Sequence, residues 1–157
     1  MAKDQTRKLA VLSVFLRIYG VLLIVTFGLI LLGFAFQFSA LAEGHSLNWI
    51  IWNGIRSGDQ RAHVPPMLFT VYIVWGVFLL LAARKPLAYM SFLNFTIWAN
   101  LFHGLLMVVQ ATMDLDRYWS KFLTDIPFTL FLALGIYLLR PTSSSEDRSS
   151  VNTLTDR

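Results

Sequence analysis

Four long apolar stretches, separated by shorter connections, dominate the pattern of hydrophobic and polar positions along this chain. They extend over about residues 9–38, 67–83, 87–113 and 125–140. A helix that crosses the hydrocarbon core of a bilayer needs about 20 mainly apolar residues, and a helix satisfies its own backbone polar groups there. The pattern predicts an all-α membrane protein, in which residues 9–140 form one transmembrane domain that folds as a four-transmembrane-helix bundle.

The prolines fall at the edges of these stretches, which supports the predicted boundaries. Proline lacks a backbone donor and disrupts a helix interior, but it fits the first turn of a helix. The prolines are Pro65, Pro66, Pro86, Pro127 and Pro141. We expect Pro86 to be the first residue of the third span, and Thr124 or Asp125 to cap the fourth.

The first apolar stretch also has the general form of a secretory signal peptide. Basic residues precede it, and Ala40-Leu41-Ala42 resembles a cleavage site. The apolar region of a signal peptide is only about 7–15 residues long, whereas this stretch extends over residues 9–38 and contains Arg17. We therefore interpret it as an uncleaved first span.

The segments between and beyond the spans have compositions of their own. The first connection, about residues 39–66, contains Trp49 and Trp52 among aliphatic residues, which predicts a short interfacial helix with its indoles at head-group depth. Residues 1–8 form a short polar start, and residues 141–157 are serine-rich and charged. The composition of the C-terminal segment predicts a disordered tail.

The distribution of lysine and arginine predicts the orientation of the chain, because cytoplasmic loops carry an excess of these residues. The two ends and the second connection hold Lys3, Arg7, Lys8, Arg84, Lys85, Arg140, Arg148 and Arg157. The first and third connections hold Arg56, Arg61, Arg117 and Lys121. We therefore expect both termini in the cytoplasm. Because the loops are short and no mitochondrial-type leader is present, we expect a bacterial inner membrane.

Composition narrows the classes of function and of partner. The chain is 56% hydrophobic and 14% charged, has a mean hydropathy of +0.60 and contains no cysteine, which excludes disulfides, thiolate nucleophiles and cysteine-ligated metals. Its formal net charge is +4, yet the basic residues flank apolar segments, where anionic head groups are the natural partner. We expect the lipid bilayer as partner, with a membrane-protein partner or a second copy of the chain, and no nucleic acid.

A stripe of mainly polar residues follows one face of the third apolar stretch. It consists, at alternating steps of four and three residues, of Thr96, Asn100, His103, Met107, Gln110 and Asp114. This spacing keeps all of them on one side of a helix. Because unsatisfied polar groups are expensive in hydrocarbon, we expect the stripe to face the bundle interior, and the opposite face, with Phe95 and Phe102, to face lipid.

Two functions remain open for this stripe. The first is structural or accessory, with the stripe as a polar seam that fixes helix packing. The alternative is a small-ligand, quinone or proton-handling membrane protein that uses a pocket around His103, Gln110 and Asp114, open to the outer face. A histidine near the bilayer midplane suits either function, because imidazole can hydrogen-bond across helices or accept a proton.

The sequence indicates no catalytic residue, metal site or cofactor. His45 and His63 lie in or beside the first connection, so no second imidazole within a span is available for a bis-histidine haem. With Glu43 and Asp59 they fit no recognised metal-ligand spacing. A G-x-S-x-G nucleophile motif is also absent from the sequence, and the sequence therefore does not favour enzymatic activity.

Arg17 is a charged residue well inside an apolar stretch. It lies on the order of 10 Å below the inner interface at the rise of a helix. Its side chain can extend back to the lipid phosphates, or it can bond inside the bundle to Asn94, Thr96 or Tyr137. Arg17, Asn94 and Tyr137 are therefore a candidate inner-side polar cluster.

A resemblance to a known family emerges in the second half of the chain. The run FTIWANLFHGLLMVVQATMD is preceded by MLFTVYIVWGVFLLLAARKP and followed a little later by DIP. These segments resemble a family of small uncharacterised bacterial four-helix integral membrane proteins, a domain of unknown function. We expect the similarity to cover about Leu9 to Arg140. It implies a bacterial four-span protein and no particular activity.

Overall fold

The computed structural model describes residues 2–41 and 64–141. Across these residues the chain is helical and has no strand, and four helices are long and apolar enough to cross a membrane. The spans are Gln5–Ala35, Pro66–Arg84, Pro86–Met113 and Trp119–Leu139. The predicted all-α, four-helix membrane fold is therefore confirmed. The predicted interfacial helix in the first connection and the predicted disordered tail lie outside the described residues.

The described part of the chain consists of α-helices and short 3₁₀ turns. The helices are α1 (Ala2–Ala35), α2 (Val64–Arg84), α3 (Met90–Met113), α4 (Leu115–Tyr118) and α5 (Asp125–Leu139). The 3₁₀ turns are Ser39–Leu41, Pro86–Tyr89 and Trp119–Phe122. The spans are built around α1, α2, α3 and α5, whereas α4 lies in the connection between the third and the fourth.

The first helix is displaced towards the N-terminus relative to the predicted span. α1 already includes the polar start before residue 9, because alanine, lysine, glutamine and arginine are good helix formers. It ends at Ala35, and Gln37 adopts a positive φ of 52°. The Phe38 N–H donates to the Gly33 carbonyl at 2.9 Å. A left-handed residue with this bond is the Schellman pattern, which satisfies the last carbonyls of a helix.

A tight turn joins α2 to α3. Proline disfavours a helical backbone at the residue before it, and Lys85, before Pro86, has the non-helical angles φ −143° and ψ 69°. The Ala88 N–H then donates to the Lys85 carbonyl at 3.0 Å. One 3₁₀ turn at the proline therefore ends α2, reverses the chain and starts the third span.

The spans associate chiefly as two pairs, α1 with α2 and α3 with α5, and α1 also contacts α5. The first pair is closest where Gly20 of α1 meets Gly76 of α2. A Cβ added at either glycine would lie 2.8 Å from the carbonyl oxygen of the other. Small residues are what allow helix backbones to approach this closely in a membrane.

Aromatic side chains, rather than close backbones, connect α2 with α3. The ring centroids of Trp75 and Phe95 lie 5.5 Å apart, and those of Phe78 and Phe92 lie 5.7 Å apart. Aromatic pairs at such distances contribute about 0.5–1.5 kcal/mol beyond the area they bury. The wide spacing of these two helices leaves room for polar groups between them.

One end of the bundle collects basic residues, and we call it the basic end. There the start of α1 meets the end of α2, since the Ser13 hydroxyl donates to the Ala83 carbonyl. The start of α3 meets the end of α5 through Asn94 and Arg140. The basic residues at or near this end are Arg7, Lys8, Arg84, Lys85 and Arg140.

The outer faces of the helices are apolar and exposed. Leu29 of α1 is 62% exposed, Phe102 of α3 is 65% exposed and Phe131 of α5 is 59% exposed. Soluble monomers rarely carry large contiguous apolar patches. The surface therefore suits acyl chains, as expected for helices that span a membrane.

Candidate functional site

The polar stripe of α3 divides into a buried part and an exposed part. Thr96, Asn100 and Met107 are buried in the bundle, whereas His103, Gln110 and Asp114 are exposed. On the opposite face Phe95 is 60% exposed. Thr96 and Asn100, in the half of α3 nearer the basic end, therefore lie inside the bundle, whereas beyond them the polar members of the stripe are exposed and only Met107 is buried.

A hydrogen bond across the bundle holds the buried part of the stripe. Trp75 of α2 donates its Nε1–H to Thr96 Oγ1 at 3.1 Å. Asn100 donates through Nδ2 to the Thr96 carbonyl of its own helix at 2.9 Å. Thr96 is therefore the acceptor for both neighbours. Trp75, its partner on another span, was not predicted from the sequence.

The exposed His103 has a phenol beside it. The hydroxyl oxygen of Tyr72, on α2, lies 3.4 Å from His103 Nε2. The Tyr72 ring stacks on Phe27 of α1, with centroids 4.4 Å apart. Three spans therefore meet at this level of the bundle, through one hydrogen-bonding pair and one stacked pair of rings.

A cavity of about 120 Å³ lies between the four spans at this level. All four spans contribute side chains that are polar or aromatic to its wall, and these include Phe27, Tyr72, Trp75, Asn100, His103, Asp125, Phe128 and Thr129. Because His103 lines the cavity and is itself exposed, the cavity reaches the surface beside this residue. A pocket with convergent polar groups is the usual place for a ligand.

Several hydrogen-bond donors of the wall are already used within the protein. The Thr129 hydroxyl donates to its own helix, with the Asp125 carbonyl at 3.0 Å and the Ile126 carbonyl at 3.1 Å. Asn100 and Trp75 use N–H groups on Thr96. An ionised carboxylate only accepts hydrogen bonds. The oxygens of Asp125, Asn100 and Thr129 are therefore the groups that a ligand with N–H donors would meet.

Asp125 is the acidic member of this wall. It is the first residue of α5, where Thr124 occupies the N-cap position without a side-chain capping bond; the Thr124 hydroxyl instead donates to the Ser120 carbonyl at 3.0 Å. From the sequence, both residues were expected only as caps. A carboxylate in the first turn is favoured by the helix dipole, so α5 helps to hold this charge at the cavity.

Lys121 is the basic residue of this region. It lies on the 3₁₀ turn before α5, and its charge acts on both Asp125 and His103. Its Nζ is also 4.9 Å from the centroid of the Tyr118 ring, a cation–π distance. A cationic ligand in the cavity would therefore be repelled by the charge of Lys121.

The candidate inner-side cluster is organised around a different arginine from the one considered in the sequence analysis. Arg140 donates through Nη1 to Asn94 Oδ1 at 2.7 Å, and its guanidinium carbon lies 4.8 Å from the centroid of the Tyr137 ring. The Arg17 side chain is exposed. The sequence placed Arg140 at the end of the last span, but its backbone is extended there, beyond the helix that would otherwise fix the direction of the side chain.

Metal ligands were considered at histidine and acidic residues of the first connection. His45, His63, Glu43 and Asp59 all lie outside the described residues. Within residues 2–41 and 64–141, no group of three or more histidine, aspartate or glutamate side chains is placed to hold a metal ion. The described cavity is therefore defined by hydrogen-bond acceptors and aromatic rings rather than by a ligand cluster.

Some residues of the cavity could have been found from spacing. Asp125 and Thr129 stand one helical turn apart, as do Tyr72 and Trp75, so each pair shares a helix face. These two pairs, one on α5 and one on α2, indicate from the sequence that the polar stripe of α3 has partners on other spans. Which faces meet depends on the packing of the helices, which periodicity alone does not determine.

The fold and this site define a small four-span integral membrane protein with a polar cavity inside its helix bundle. The chain belongs to the Family of unknown function (DUF6632), whose model matches residues 9–154. This confirms the resemblance to an uncharacterised domain family. No curated protein and no solved structure matches the chain.

Proposed function

We propose that this membrane protein binds a small organic ammonium ion in the cavity between its four spans. The observation that supports this most strongly is that the Asp125 carboxylate and four aromatic rings, those of Phe27, Tyr72, Trp75 and Phe128, line one small cavity. An ionisable residue at membrane depth is itself a sign of function, because an uncompensated charge there is expensive.

The chemistry of the wall favours a cation that carries N–H donors. Asp125 supplies the counter-charge, while Asn100 and Thr129 offer neutral oxygens. Tyr72 and Phe128 line the same cavity, and aromatic faces attract ammonium groups by about 0.5–2 kcal/mol. Each part of such a ligand therefore has a partner in the wall.

The size of the cavity limits the ligand. Its 120 Å³ corresponds to roughly four water molecules at their share of liquid volume. A primary ammonium on a short carbon chain suits this space, whereas a substituted quinone ring is larger. We therefore favour a small amine over the quinone considered from the sequence.

A structural or accessory function is the second candidate. It is favoured by the hydrogen bond between Trp75 and Thr96, which joins α2 to α3 across the bundle. Interhelical hydrogen bonds of this kind contribute on average about 0.6 kcal/mol in a membrane protein. In this case the polar seam fixes the pairing of the spans, and the cavity holds only water.

Binding of ethylammonium tests the first proposal against the second. Addition of ethylammonium to the purified protein should raise its thermal unfolding temperature, because a ligand at about 100 times its Kd stabilises the folded state by about 2.7 kcal/mol. Ethanol, which has similar size and no charge, serves as the neutral control. An equal response to the two compounds, or no response to either, would contradict the proposal.

Three variants locate the binding site. Asp125→Asn should weaken ethylammonium binding by at least about tenfold, since it removes the counter-charge. Lys121→Gln should strengthen binding, because it removes a nearby positive charge that repels the ligand. Asp116→Asn makes the same chemical change as the first variant at an exposed residue and should leave binding unchanged. Unchanged affinity in Asp125→Asn would exclude this cavity as the site.

For the orientation, we propose that the basic end faces the cytoplasm of a bacterial cell. This is supported by the gathering of Lys85, Arg140 and their basic neighbours at one end of the bundle, as the positive-inside rule requires. Reporter fusions after Lys85 and after Arg140 should therefore show cytoplasmic activity, and a fusion after Asp116 should show an external location. An external reporter after Arg140 would contradict the proposed orientation.

A further inference from the structure

A second concave site lies on the outside of the bundle, between α3 and α5. It is a groove of about 440 Å³, separate from the cavity among the four spans. Its wall is largely apolar, with Ile97, Trp98 and Leu101 on α3 and Leu130, Leu134 and Tyr137 on α5. Arg140 lines the same groove and brings a permanent positive charge to it.

The groove opens towards the lipid-facing surface of the protein. Trp98 is 58% exposed and Leu134 is 53% exposed, so the side chains that form its walls also meet the hydrocarbon. A soluble ligand would have to reach this surface through the membrane. The occupant that the surroundings supply directly is an acyl chain.

The length of the groove matches one leaflet of a bilayer. From Leu130 to Arg140 the chain of α5 rises about 15 Å along the helix axis. This is close to half of the roughly 30 Å thickness of the hydrocarbon core. A lipid with its head group at Arg140 would therefore extend its acyl chain along the groove towards the bilayer midplane.

The setting of Arg140 favours an anionic head group. Its guanidinium is held by the Asn94 side chain and by the Tyr137 ring, which fixes a planar group with five N–H donors. Only Nη1 is used on Asn94. A positioned guanidinium suits the oxygens of a phosphate, with which it can form paired hydrogen bonds.

We propose that the α3–α5 groove binds an anionic phospholipid, with its phosphate on Arg140 and one acyl chain between the two helices. The described wall of the groove contains no aspartate or glutamate. No carboxylate of this wall therefore competes with a phosphate for Arg140. Tyr137 and Asn94 are positioning residues for the guanidinium. Ile97, Leu101 and Leu134 provide the apolar contact.

Lipid retention by the intact protein tests this proposal. Purified protein is exposed to equal amounts of phosphatidylglycerol and phosphatidylcholine, and bound lipid is measured by native mass spectrometry. Phosphatidylglycerol should be retained preferentially by the wild type, and Arg140→Gln should lower its retention by roughly tenfold. Arg84→Gln, at an exposed arginine of the same end, should retain it as the wild type does.

A second measurement keeps the proposal testable even if Arg140→Gln does not fold. Phosphatidylglycerol with a photoreactive acyl chain should cross-link to the wild type on the peptides that contain Trp98 and Leu134. Glycerol phosphate, which has the head-group charge without the chain, should not compete. The proposal would be overturned by equal retention of phosphatidylcholine or by equal losses in the two arginine variants. It would also be overturned by cross-links elsewhere, by competition from glycerol phosphate, or by a dimer that covers this face.

Discussion

Replacing Gly20 by alanine is expected to destabilise the helix bundle by about 1–3 kcal/mol, the usual effect of forcing an extra group into a packed interior. The new Cβ would lie 2.8 Å from the carbonyl oxygen of Gly76 and equally close to the side chain of Leu80. The side chain can move, but the carbonyl belongs to the backbone of α2. The two helices must therefore separate to accept the methyl group.

Gly28 provides the matched control, because it lies on the same helix and a Cβ added there meets nothing within 4 Å. Gly28→Ala should leave stability unchanged or raise it by up to about 1 kcal/mol, since alanine favours a helix over glycine. Unfolding of both variants is to be measured in the same detergent. Equal stability of the two variants would show that α1 and α2 do not meet at Gly20.

The close contact between Gly20 and Gly76 also affects the shape of the cavity. Beyond Gly20 along α1 lie Leu23 and Phe27, which form part of the cavity wall, and Tyr72 of α2 stacks on Phe27. The glycine contact therefore fixes the distance between two helices whose aromatic side chains close one side of the cavity. We expect Gly20→Ala to weaken ammonium binding as well as stability, because the aromatic wall moves with the helices.

The fold could be predicted from the sequence because a membrane restricts the available solutions. Apolar length and the positions of the prolines are enough to indicate four spans, since a continuous helix satisfies its own backbone polar groups in hydrocarbon. The start of α1 was harder to place. Its polar first residues are good helix formers, so the helix continues past the point at which the apolar pattern begins.

The candidate site was only partly accessible from the sequence. The spacing from Thr96 to Asp114 placed one polar stripe on α3, but periodicity describes each helix separately. That Trp75 is the partner of Thr96, and that Asp125 and Thr129 share a cavity with Asn100, depends on how the helices rotate against one another. Small differences in packing determine this rotation, and the residue pattern of a single helix does not predict them.

The arginines at the basic end show the same limit of prediction from the sequence. Arg17 lies deep in the first span and was therefore a candidate partner of Asn94, with the lipid phosphates as the alternative, whereas Arg140 was assigned only to the end of the last span. The bond from Arg140 to Asn94 arises because the end of α5 lies beside the start of α3. Pairing of the spans, rather than the depth of a charge along its own helix, determines which side chains meet.

The proposed binding of an ammonium ion requires that the cavity beside His103 is open to water and attracts cations. The chain has no cysteine, so a single thiol can be introduced without background and tested in liposomes. His103→Cys places the thiol in the wall of the cavity, next to acceptors that favour positive charge. Phe102→Cys is the neighbouring control, on the exposed apolar face of the same helix.

The decisive measurement is the rate at which these two thiols react with a cationic and an anionic water-soluble methanethiosulfonate of similar size. We expect the thiol at position 103 to react with the cationic reagent at least about tenfold faster than with the anionic one, a difference of about 1.4 kcal/mol. Ethylammonium should slow that reaction, and the thiol at position 102 should remain unlabelled. Equal rates with the two reagents, no reaction at position 103, or equal labelling at position 102 would contradict the proposed ammonium site.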